Sequence, residues 1–263
     1  MSNPDSTGRV PVGGVEIHYE THGDGPALVL LHGGVAPSLT FGALLAAMAR
    51  THRVIAIHLR GHGLSTDENT PWSAELMADD VAAVIRHLGL ARARLMGYSL
   101  GAAVALQVAI RHPALVEKLV PVAVAFSTDG EYPEVRRAFE QMPASAAEIG
   151  RQLAASPFAQ LYPAVDWETM MRKSGEMNLV ARDWTEGIRS ITAPTLLIFA
   201  DADSIRPEHM VEFWQLLGGG HHDAGLDGSQ RPASQLAILP GTTHYTLIDA
   251  PLLPEIATAF LTQ

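Results

Sequence analysis

The chain contains a series of apolar segments in which polar residues do not alternate with apolar ones. These segments cover residues 27–31, 54–59, 93–96, 119–126, 195–200 and 236–239. Continuous apolar strands are typical of a parallel sheet that is covered by helices on both faces. Segments with helical patterns stand between them, over residues 39–50, 74–88, 101–111, 208–217 and 253–261. This alternation predicts right-handed βαβ units and an α/β fold with a mostly parallel open sheet flanked by helices.

Three regions depart from the alternation. Residues 10–21 contain two short apolar runs around Gly13-Gly14, which predicts an opening β-hairpin. Residues 127–191 show helical patterns without a clear strand, and prolines punctuate them at Pro133, Pro143, Pro157 and Pro163. We therefore predict an α/β core over residues 1–126 and 192–263, with a small helical cap inserted at residues 127–191. The Gly-rich residues 218–234 predict a flexible surface loop.

Composition narrows the class of protein. The 263 residues are 47% hydrophobic and 17% charged, which is typical of a globular domain, and the formal net charge is −10. An acidic chain without basic clusters is not expected to bind nucleic acid. Cysteine is absent, no leader pattern opens the chain, and no apolar run reaches the length of a membrane span. We expect a cytoplasmic protein with no nucleic-acid or membrane partner and no Cys-based metal site, and the oligomeric state is left open.

The most informative motif is Gly97-Tyr98-Ser99-Leu100-Gly101. It stands between a short apolar run that predicts a strand and an alanine-rich run that predicts a helix. A G-x-S-x-G turn in this setting is a nucleophile elbow, which projects the serine hydroxyl from a tight strand-to-helix turn. The pattern alone is weak, because glycine and serine are common in ordinary turns.

A serine nucleophile needs a base, and the base needs an orienting acid. The predicted strand over residues 195–200 is followed by Asp201-Ala202-Asp203, and the strand over residues 236–239 is followed by a segment that ends at His244. An open α/β sheet places such groups on loops beyond the carboxyl ends of its strands. The chain order Ser, Asp, His is typical of the α/β-hydrolases.

Over nearly its whole length the chain resembles the α/β-hydrolase superfamily. Residues 31–34 (LHGG) resemble the oxyanion loop of that family, and residues 59–65 (LRGHGLS) resemble its segment after the fourth strand. Residues 97–101 resemble the elbow, residues 200–203 the acid loop, and residues 240–244 the histidine loop. The resemblance implies a serine hydrolase without a cofactor or metal.

Two positions and one loop depart from the family pattern. His58 stands where the family often has aspartate, and Ala200 stands where glycine is commoner. Neither position carries proton transfer, so we expect altered local packing and no loss of activity. The long loop over residues 218–234 is also unusual, and it affects the expected geometry of substrate entry.

The resemblance assigns a role to each matching residue. Ser99 is expected to be the nucleophile, His244 the general base and then acid, and Asp203 the orienting carboxylate, with Asp201 as the competing acid. The backbone N–H groups of Gly34 and Leu100 are expected to form the oxyanion hole. His58 and His62 are four residues apart, but they span a strand end and a Gly-rich turn, so we do not expect a metal site there.

The implied reaction is hydrolysis of small to medium apolar carboxylic esters through an acyl-enzyme intermediate. Lactone hydrolysis, C–C bond hydrolysis and cofactor-free perhydrolysis use the same three residues and stay open as alternatives. Chemistry that requires an aspartate at the elbow is disfavoured, because the chain has Ser99 there. An alternative of another class is a ligand-binding receptor on a hydrolase scaffold, which the complete set of Ser, Asp and His disfavours.

Overall fold

The computed structural model describes residues 3–35 and 41–263. In these ranges eight strands form one sheet: β1 (Ser6–Val12), β2 (Val15–His22), β3 (Ala27–Leu31), β4 (Arg53–Ile57), β5 (Ala93–Tyr98), β6 (Val116–Val122), β7 (Leu196–Ala202) and β8 (Gln235–Thr243). Their spatial order is β1-β2-β4-β3-β5-β6-β7-β8. Strand β2 pairs antiparallel with β1 and β4, and every other neighbouring pair is parallel. The predicted mostly parallel, open sheet is therefore confirmed.

Helices follow the strands as the sequence predicts. The helices of the described ranges are α1 (Gly42–Met48), α2 (Ala74–His87), α3 (Leu100–Arg111), α4 (Pro133–Ala154), α5 (Pro157–Leu161), α6 (Trp167–Leu179), α7 (Thr185–Arg189), α8 (Pro207–Leu216) and α9 (Leu252–Leu261). Helix α2 begins where predicted, because the Ser73 side chain accepts a hydrogen bond from the Leu76 amide and caps the first turn. The helix predicted over residues 39–50 is seen as α1, and its first two predicted residues lie outside the described ranges.

Successive residues of the central strands enter two different hydrophobic clusters. Val29 and Leu31 of β3 pack in the cluster formed with α2, α3 and α8, whereas Leu28 and Leu30 pack in the cluster formed with α1 and α9. All four side chains are fully buried. Burying one such side chain contributes about 1.5–3 kcal/mol. Burial on both faces explains why these strands read as continuous apolar runs.

The predicted hairpin at the start of the chain is confirmed. Val12 pairs with Val15, and the two residues between them have positive φ angles, 52° at Gly13 and 91° at Gly14. A two-residue hairpin turn of this hand needs left-handed backbone, which glycine adopts without a steric cost.

Strand β6 begins and ends earlier than predicted. The apolar run predicts a strand over residues 119–126, but the strand covers Val116–Val122. Ala123 has a φ of 54°, so the chain leaves the extended conformation at that residue. Residues 123–126 are still buried, which explains why their apolar character suggested a longer strand.

Strand β8 is longer than predicted. The sequence predicts a strand over residues 236–239 followed by a loop, but pairing continues to Thr243. The carboxylate of Asp201 accepts hydrogen bonds from the amides of Gly241 (2.9 Å) and Thr242 (3.0 Å), which ties the end of β8 to the end of β7. A side chain thus replaces regular backbone pairing at this position.

The segment after β6 contains helices α4 to α7. Pro143 is expected to punctuate the helical segment, but it lies inside α4, which continues through it. Pro143 faces α6 at Gly175, where an added Cβ atom would lie 2.7 Å from the proline ring. Gly175 thus allows α4 and α6 to approach closely at the proline ring. The division of the chain into a core and a cap over residues 127–191 stays a prediction.

Lys173 of α6 connects the helical segment to the loop before α2. Its ammonium group lies 2.6 Å from the Asp67 carboxylate, and it also donates to the Glu68 carbonyl. The Lys173 side chain is 4% exposed, and the ammonium lies 5.6 Å from the centre of the Trp72 ring. A buried ammonium needs such partners, because an unpaired buried charge is costly.

The predicted surface loop over residues 218–234 contains neither helix nor strand. The indole N–H of Trp214 donates to the Ser234 carbonyl, and the Gln215 carbonyl accepts from the His221 ring. These contacts tie both ends of the loop to α8. In the described ranges, no helix has both the length and the apolar character needed to cross a bilayer.

Two histidines are buried near the carboxyl end of β4. Burial lowers the pKa of His58 to about 4, with a further contribution from neighbouring His18. Burial also lowers the pKa of His62 to about 4. Both side chains are therefore neutral at pH 7. The His62 Nδ1–H donates to the Arg60 carbonyl at 2.9 Å, which holds the turn between β4 and α2.

These two histidines predict a loss of stability in acid. Below pH 6.5 the unfolded chain binds protons that folded His58 and His62 bind only near pH 4. The free energy of unfolding therefore falls as the pH drops from about 6.5 to 4, by on the order of 3 kcal/mol for each histidine. Urea unfolding across this range measures the slope.

Replacing one buried histidine tests whether these side chains cause the loss of stability in acid. His62→Gln should reduce the slope of unfolding free energy against pH, whereas His222→Gln, on the exposed loop, should leave it unchanged. An unaltered slope in His62→Gln contradicts the explanation.

Candidate active site

Ser99 occupies a strained turn between β5 and α3. Its φ is 53° and its ψ is −113°, a backbone conformation that residues other than glycine rarely adopt. The two flanking glycines allow the turn to close. A Cβ on Gly97 would lie 2.2 Å from the Gly101 carbonyl oxygen, and a Cβ on Gly101 would lie 2.2 Å from the Leu31 carbonyl oxygen. The Ser99 amide donates to the Val122 carbonyl at 2.9 Å, which fixes the turn against β6.

The structure brings Ser99, His244 and Asp203 together. The Nε2 atom of His244 lies 3.1 Å from the Ser99 Oγ, and its Nδ1 lies 2.9 Å from the Asp203 Oδ1. Because Nδ1 faces a carboxylate, it carries the proton, and Nε2 is left to accept from the serine hydroxyl. The three residues are separated by 104 and 41 positions in the sequence, and they meet because β5, β7 and β8 end at the same edge of the sheet.

The two carboxylates after β7 have different surroundings. The Asp203 side chain is fully buried, and its oxygens accept from the amides of Ala200 (3.0 Å) and Ser204 (2.8 Å) as well as from His244. The Asp201 carboxylate is exposed and accepts from the amides of Gly241 and Thr242 at the end of β8, which lower its pKa. Asp203 therefore contacts the His244 imidazole, whereas Asp201 holds the end of β8, the strand that precedes His244.

Gly34 and Leu100 are the residues expected to supply the two backbone N–H donors of the site. Both residues line the same cavity as the Ser99 side chain. A Cβ atom on Gly34 would meet nothing within 4 Å, so open space lies next to that residue. The Leu100 amide is at the first turn of α3, where amides have no acceptor within the helix. Such donors can stabilise negative charge that develops on a bound carbonyl oxygen.

His32 fastens the loop that carries Gly34. Its Nδ1–H donates to the Gly33 carbonyl at 2.7 Å, and its Nε2 accepts from the Leu59 amide at 3.0 Å. The two bonds require the neutral imidazole, and burial lowers the pKa of His32 well below its usual value, as does neighbouring His62. His32 thus links the ends of β3 and β4, in agreement with the structural role that its position suggests.

Tyr98 connects the three loops of the site. Its hydroxyl donates to the backbone carbonyl of His244 at 2.5 Å, and its ring lies beside the imidazole with 5.6 Å between centres. The same ring limits the space at Gly33, where an added Cβ would be 2.9 Å away. Burial raises the pKa of Tyr98, as does the nearby Asp203 carboxylate, so its hydroxyl stays protonated and keeps donating.

A cavity of about 780 Å³ opens above Ser99 and His244. Most of its wall is apolar and comes from the helical segment and from the strand ends. The apolar side chains include Trp72, Phe139, Met142, Met171, Met177 and Trp184. Besides the His244 imidazole, the wall contains the acidic and basic side chains of Glu75, Glu131, Glu134, Arg182 and Asp183. Arg182 is ion-paired with Glu131, which also pairs with Arg136 outside the wall.

His18, Glu20 and His58 form a cluster whose possible ligand atoms lie within 4.8 Å of one another. The Nδ1 of His58 accepts a hydrogen bond from the Leu64 amide at 2.9 Å. In the neutral ring the proton is therefore on Nε2, which lies 3.7 Å from the Glu20 carboxylate. A protonated nitrogen has no lone pair for a cation, so the geometry disfavours a metal at this cluster.

Sequence reasoning did not single out Tyr98 or Ser204. Ser204 places its hydroxyl 3.0 Å from the His244 Nδ1, directly beside the Asp203 carboxylate. Tyr98 lies inside the elbow motif at a position that the motif leaves free. Each of the two residues is the sequence neighbour of a motif residue, and that is the signal that could have found it. The sequence does not reveal where the hydroxyl groups of Tyr98 and Ser204 point.

Fold and site together identify the family. Residues 28–253 match the profile of the alpha/beta hydrolase family, and the chain belongs to that family. Strand-end placement of Ser99, Asp203 and His244 agrees with the α/β-hydrolase resemblance seen in the sequence.

Comparison with known proteins gives relatives named as hydrolases. The chain is 35% identical over 114 residues to a Mesorhizobium japonicum protein named 2-(acetamidomethylene)succinate hydrolase, a match that covers 43% of this chain and 41% of that protein. It is 26% identical over 219 residues to a Xenorhabdus hominickii protein named pyrrolizixenacetamide deacetylase, covering 76% of this chain and 82% of that protein. The chain thus spans about two-fifths of the first relative's length.

Solved structures share the whole fold. The chain matches MGS-M2, an alpha/beta hydrolase enzyme from a Medee basin deep-sea metagenome library, with a TM-score of 0.79 at 17% identity. The match covers 97% of this chain and 98% of that one. At this identity the likeness shows the common fold.

The Tyr98 contact predicts a measurable contribution to stability. Tyr98→Phe keeps the ring and removes the hydrogen bond to the His244 carbonyl, so it should lower the free energy of unfolding by about 1 kcal/mol. Tyr245→Phe is the matched control, because Tyr245 is 81% exposed. Equal urea midpoints for Tyr98→Phe and the wild type would show that the bond contributes nothing.

Proposed function

We propose that this protein is a serine hydrolase that cleaves carboxylic esters of small to medium apolar acids through an acyl-enzyme intermediate. The observation that carries the proposal is the hydrogen-bonded chain from Ser99 Oγ to His244 (3.1 Å) and from His244 to Asp203 (2.9 Å). A serine with such partners at the wall of a cavity is an activated nucleophile. Membership of the family supports the hydrolase class, and the ester specificity is our proposal.

The first half of the reaction forms the acyl-enzyme. Ser99 Oγ attacks the ester carbonyl carbon while its proton passes to His244 Nε2. The carbonyl oxygen becomes an oxyanion, which the amides of Gly34 and Leu100 stabilise; one such donor typically lowers the barrier by about 3 kcal/mol. The carbon–oxygen bond to the alcohol then breaks, and His244 returns the proton to the departing alkoxide.

The second half releases the acid. A water molecule loses a proton to His244 Nε2 and attacks the acyl carbon, and the same amides stabilise the second oxyanion. Collapse of this intermediate breaks the bond to Ser99 Oγ, which takes the proton back from His244. Asp203 keeps the proton of the imidazole on Nδ1 and stabilises the imidazolium that forms in each half.

We assign the acid role to Asp203 and not to Asp201. The support is the 2.9 Å contact of Asp203 with Nδ1 and the complete burial of its side chain. Both oxygens of Asp201 accept hydrogen bonds from the backbone of β8, so this residue holds in place the segment that leads to His244.

The cavity wall favours neutral acyl groups. Apolar side chains form most of it, and the one described cation of the wall, Arg182, is paired with Glu131. Glu75, Glu134 and Asp183 have no ion-pair partner among the residues that the structure describes. An anionic acyl group would therefore lose hydration and meet like charge, both of which are unfavourable.

Lactonase, C–C bond hydrolase and perhydrolase activities use the same three residues and are the alternatives within the enzyme class. A panel of esters, lactones and amides compared by kcat/KM ranks these bonds directly. A receptor on a hydrolase scaffold is the alternative of another class. Rapid covalent labelling by a fluorophosphonate supports the enzyme, because labelling requires an activated serine.

Ser99→Ala tests the nucleophile. Without the hydroxyl no acyl-enzyme forms, so kcat/KM for p-nitrophenyl butyrate should fall by about 10³-fold or more, and fluorophosphonate labelling should disappear. Circular dichroism checks that the fold is retained. Ser190→Ala is the control, because that exposed hydroxyl bonds only to the carbonyl of Gly187. Undiminished hydrolysis in Ser99→Ala would refute the assignment.

Two esters of matched size test the charge preference. p-Nitrophenyl butyrate and mono-p-nitrophenyl succinate share the reacting group, and a carboxylate replaces the terminal methyl group in the second. We expect kcat/KM to favour the butyrate by about tenfold at low ionic strength, and salt to narrow the gap because it screens the wall carboxylates.

Neutralising one wall carboxylate refines this test. Glu75→Gln should reduce the preference for butyrate about threefold, whereas Glu148→Gln, which lies on the exposed side of α4 and pairs with Arg151, should not change it. Equal kcat/KM for the two esters in the wild type would contradict the preference.

A further inference from the structure

The proton on His244 Nδ1 has two acceptors within hydrogen-bond distance. Asp203 Oδ1 lies 2.9 Å from Nδ1, and Ser204 Oγ lies 3.0 Å from it. One N–H facing two acceptors at nearly equal distance forms a three-centre hydrogen bond. Ser204 therefore contacts the proton that determines which ring nitrogen faces Ser99.

The Ser204 hydroxyl also contacts the carboxylate. Its Oγ lies 3.4 Å from Asp203 Oδ1, so while the oxygen accepts from Nδ1–H its own proton points toward Asp203. This 3.4 Å contact is longer than the 3.0 Å contact with the imidazole, and hydrogen bonds weaken with distance. The interaction with the histidine is therefore the larger of the two.

We propose that Ser204 is a positioning residue for His244, whose hydroxyl serves as a second acceptor for the Nδ1 proton and stabilises the imidazolium formed during catalysis. This inference rests on the proposed serine hydrolase function. It adds a fourth side chain to the three that the sequence motifs predict, and that side chain acts through the imidazole without touching the reacting atoms.

Among the described residues, Asp203 and Ser204 are the two groups that face the Nδ1 proton of the imidazole. The ionisable side chains that contact His244 in the described ranges are the Asp203 carboxylate and the phenols of Tyr98 and Tyr245, whose rings lie 5.6 and 5.4 Å away. Burial raises the pKa of the Tyr98 phenol, which therefore stays neutral near pH 7. Asp203 supplies the negative charge, and the Ser204 oxygen supplies a dipole directed at the same proton.

The side-chain role of Ser204 is separable from its backbone role. The Ser204 amide donates to Asp203 Oδ1 at 2.8 Å and does so whatever the side chain is. Ser204→Ala therefore keeps the carboxylate in place and removes only the hydroxyl. Ser204→Thr retains a hydroxyl on the same Cβ atom and serves as the conservative variant.

The test is the pH profile of kcat/KM for p-nitrophenyl butyrate, measured with these two variants. Loss of an acceptor makes the protonated imidazole less stable, so Ser204→Ala should move the acid limb to lower pH by about half a unit. The plateau of kcat/KM should fall about fivefold, since the imidazolium is stabilised less in the transition state. Ser204→Thr should restore the wild-type limb.

A double-mutant cycle tests the shared proton. In Asp203→Ala the Ser204 hydroxyl is the remaining acceptor for Nδ1–H, so removing it there should cost more than in the wild type. We expect Ser204→Ala to lower kcat/KM about fivefold alone and tenfold or more in the Asp203→Ala background. Circular dichroism and thermal unfolding check that each variant is folded.

The possible outcomes separate this inference from the proposed function. An acid limb that does not move in folded Ser204→Ala, or equal losses in the two backgrounds, overturns the role of Ser204 while ester hydrolysis through Ser99 stands. Hydrolysis that survives Ser99→Ala overturns the proposed function and the Ser204 role with it. Ser190→Ala, distant from the imidazole, should reproduce the wild-type profile.

Discussion

The site depends on a close approach of backbones at the end of β5. Gly97 and Gly101 contact each other across the turn, and Gly101 also touches the Leu31 carbonyl of the neighbouring strand. Any side chain at either glycine would push α3 away from the sheet, and Ser99 could not keep its left-handed φ of 53°. The same packing that places the serine hydroxyl above the sheet edge also brings the amide of Leu100 next to it. The strained backbone of Ser99 is therefore possible because both flanking positions are glycine.

The central strands and the first hairpin could be predicted from local sequence. Each central strand is buried on both faces, so its apolar run was visible without knowledge of its neighbours, and Gly13-Gly14 predicted the hairpin because that turn needs positive φ angles. The meeting of Ser99, Asp203 and His244 could be predicted for a related reason. Parallel strands end at one edge of the sheet, so residues that follow three such strands lie close together.

What the sequence did not reveal depends on partners distant in the chain. Pro143 disfavours the interior of a helix, yet α4 continues through it, and its ring packs against Gly175 of α6. The end of β8 was predicted as a loop, because nothing local indicates that the Asp201 carboxylate would pair with its amides. Ser204 is similar, since its contact with His244 spans 40 residues. In each case the deciding interaction is tertiary.

The histidines of the site region show how environment separates structural from chemical roles. His32 and His62 each donate from Nδ1 to a backbone carbonyl, and burial holds their pKa values below the usual one, so neither is suited to gain a proton near pH 7. His244 instead lines the cavity and directs Nδ1 to a buried carboxylate and a hydroxyl. An imidazole that must be charged briefly needs acceptors that can stabilise the charge, whereas an imidazole that fastens a loop needs to remain neutral. Under the proposed function the chain uses one residue type for both purposes: burial keeps His32 and His62 neutral, whereas His244 lines the cavity with Nδ1 beside a carboxylate.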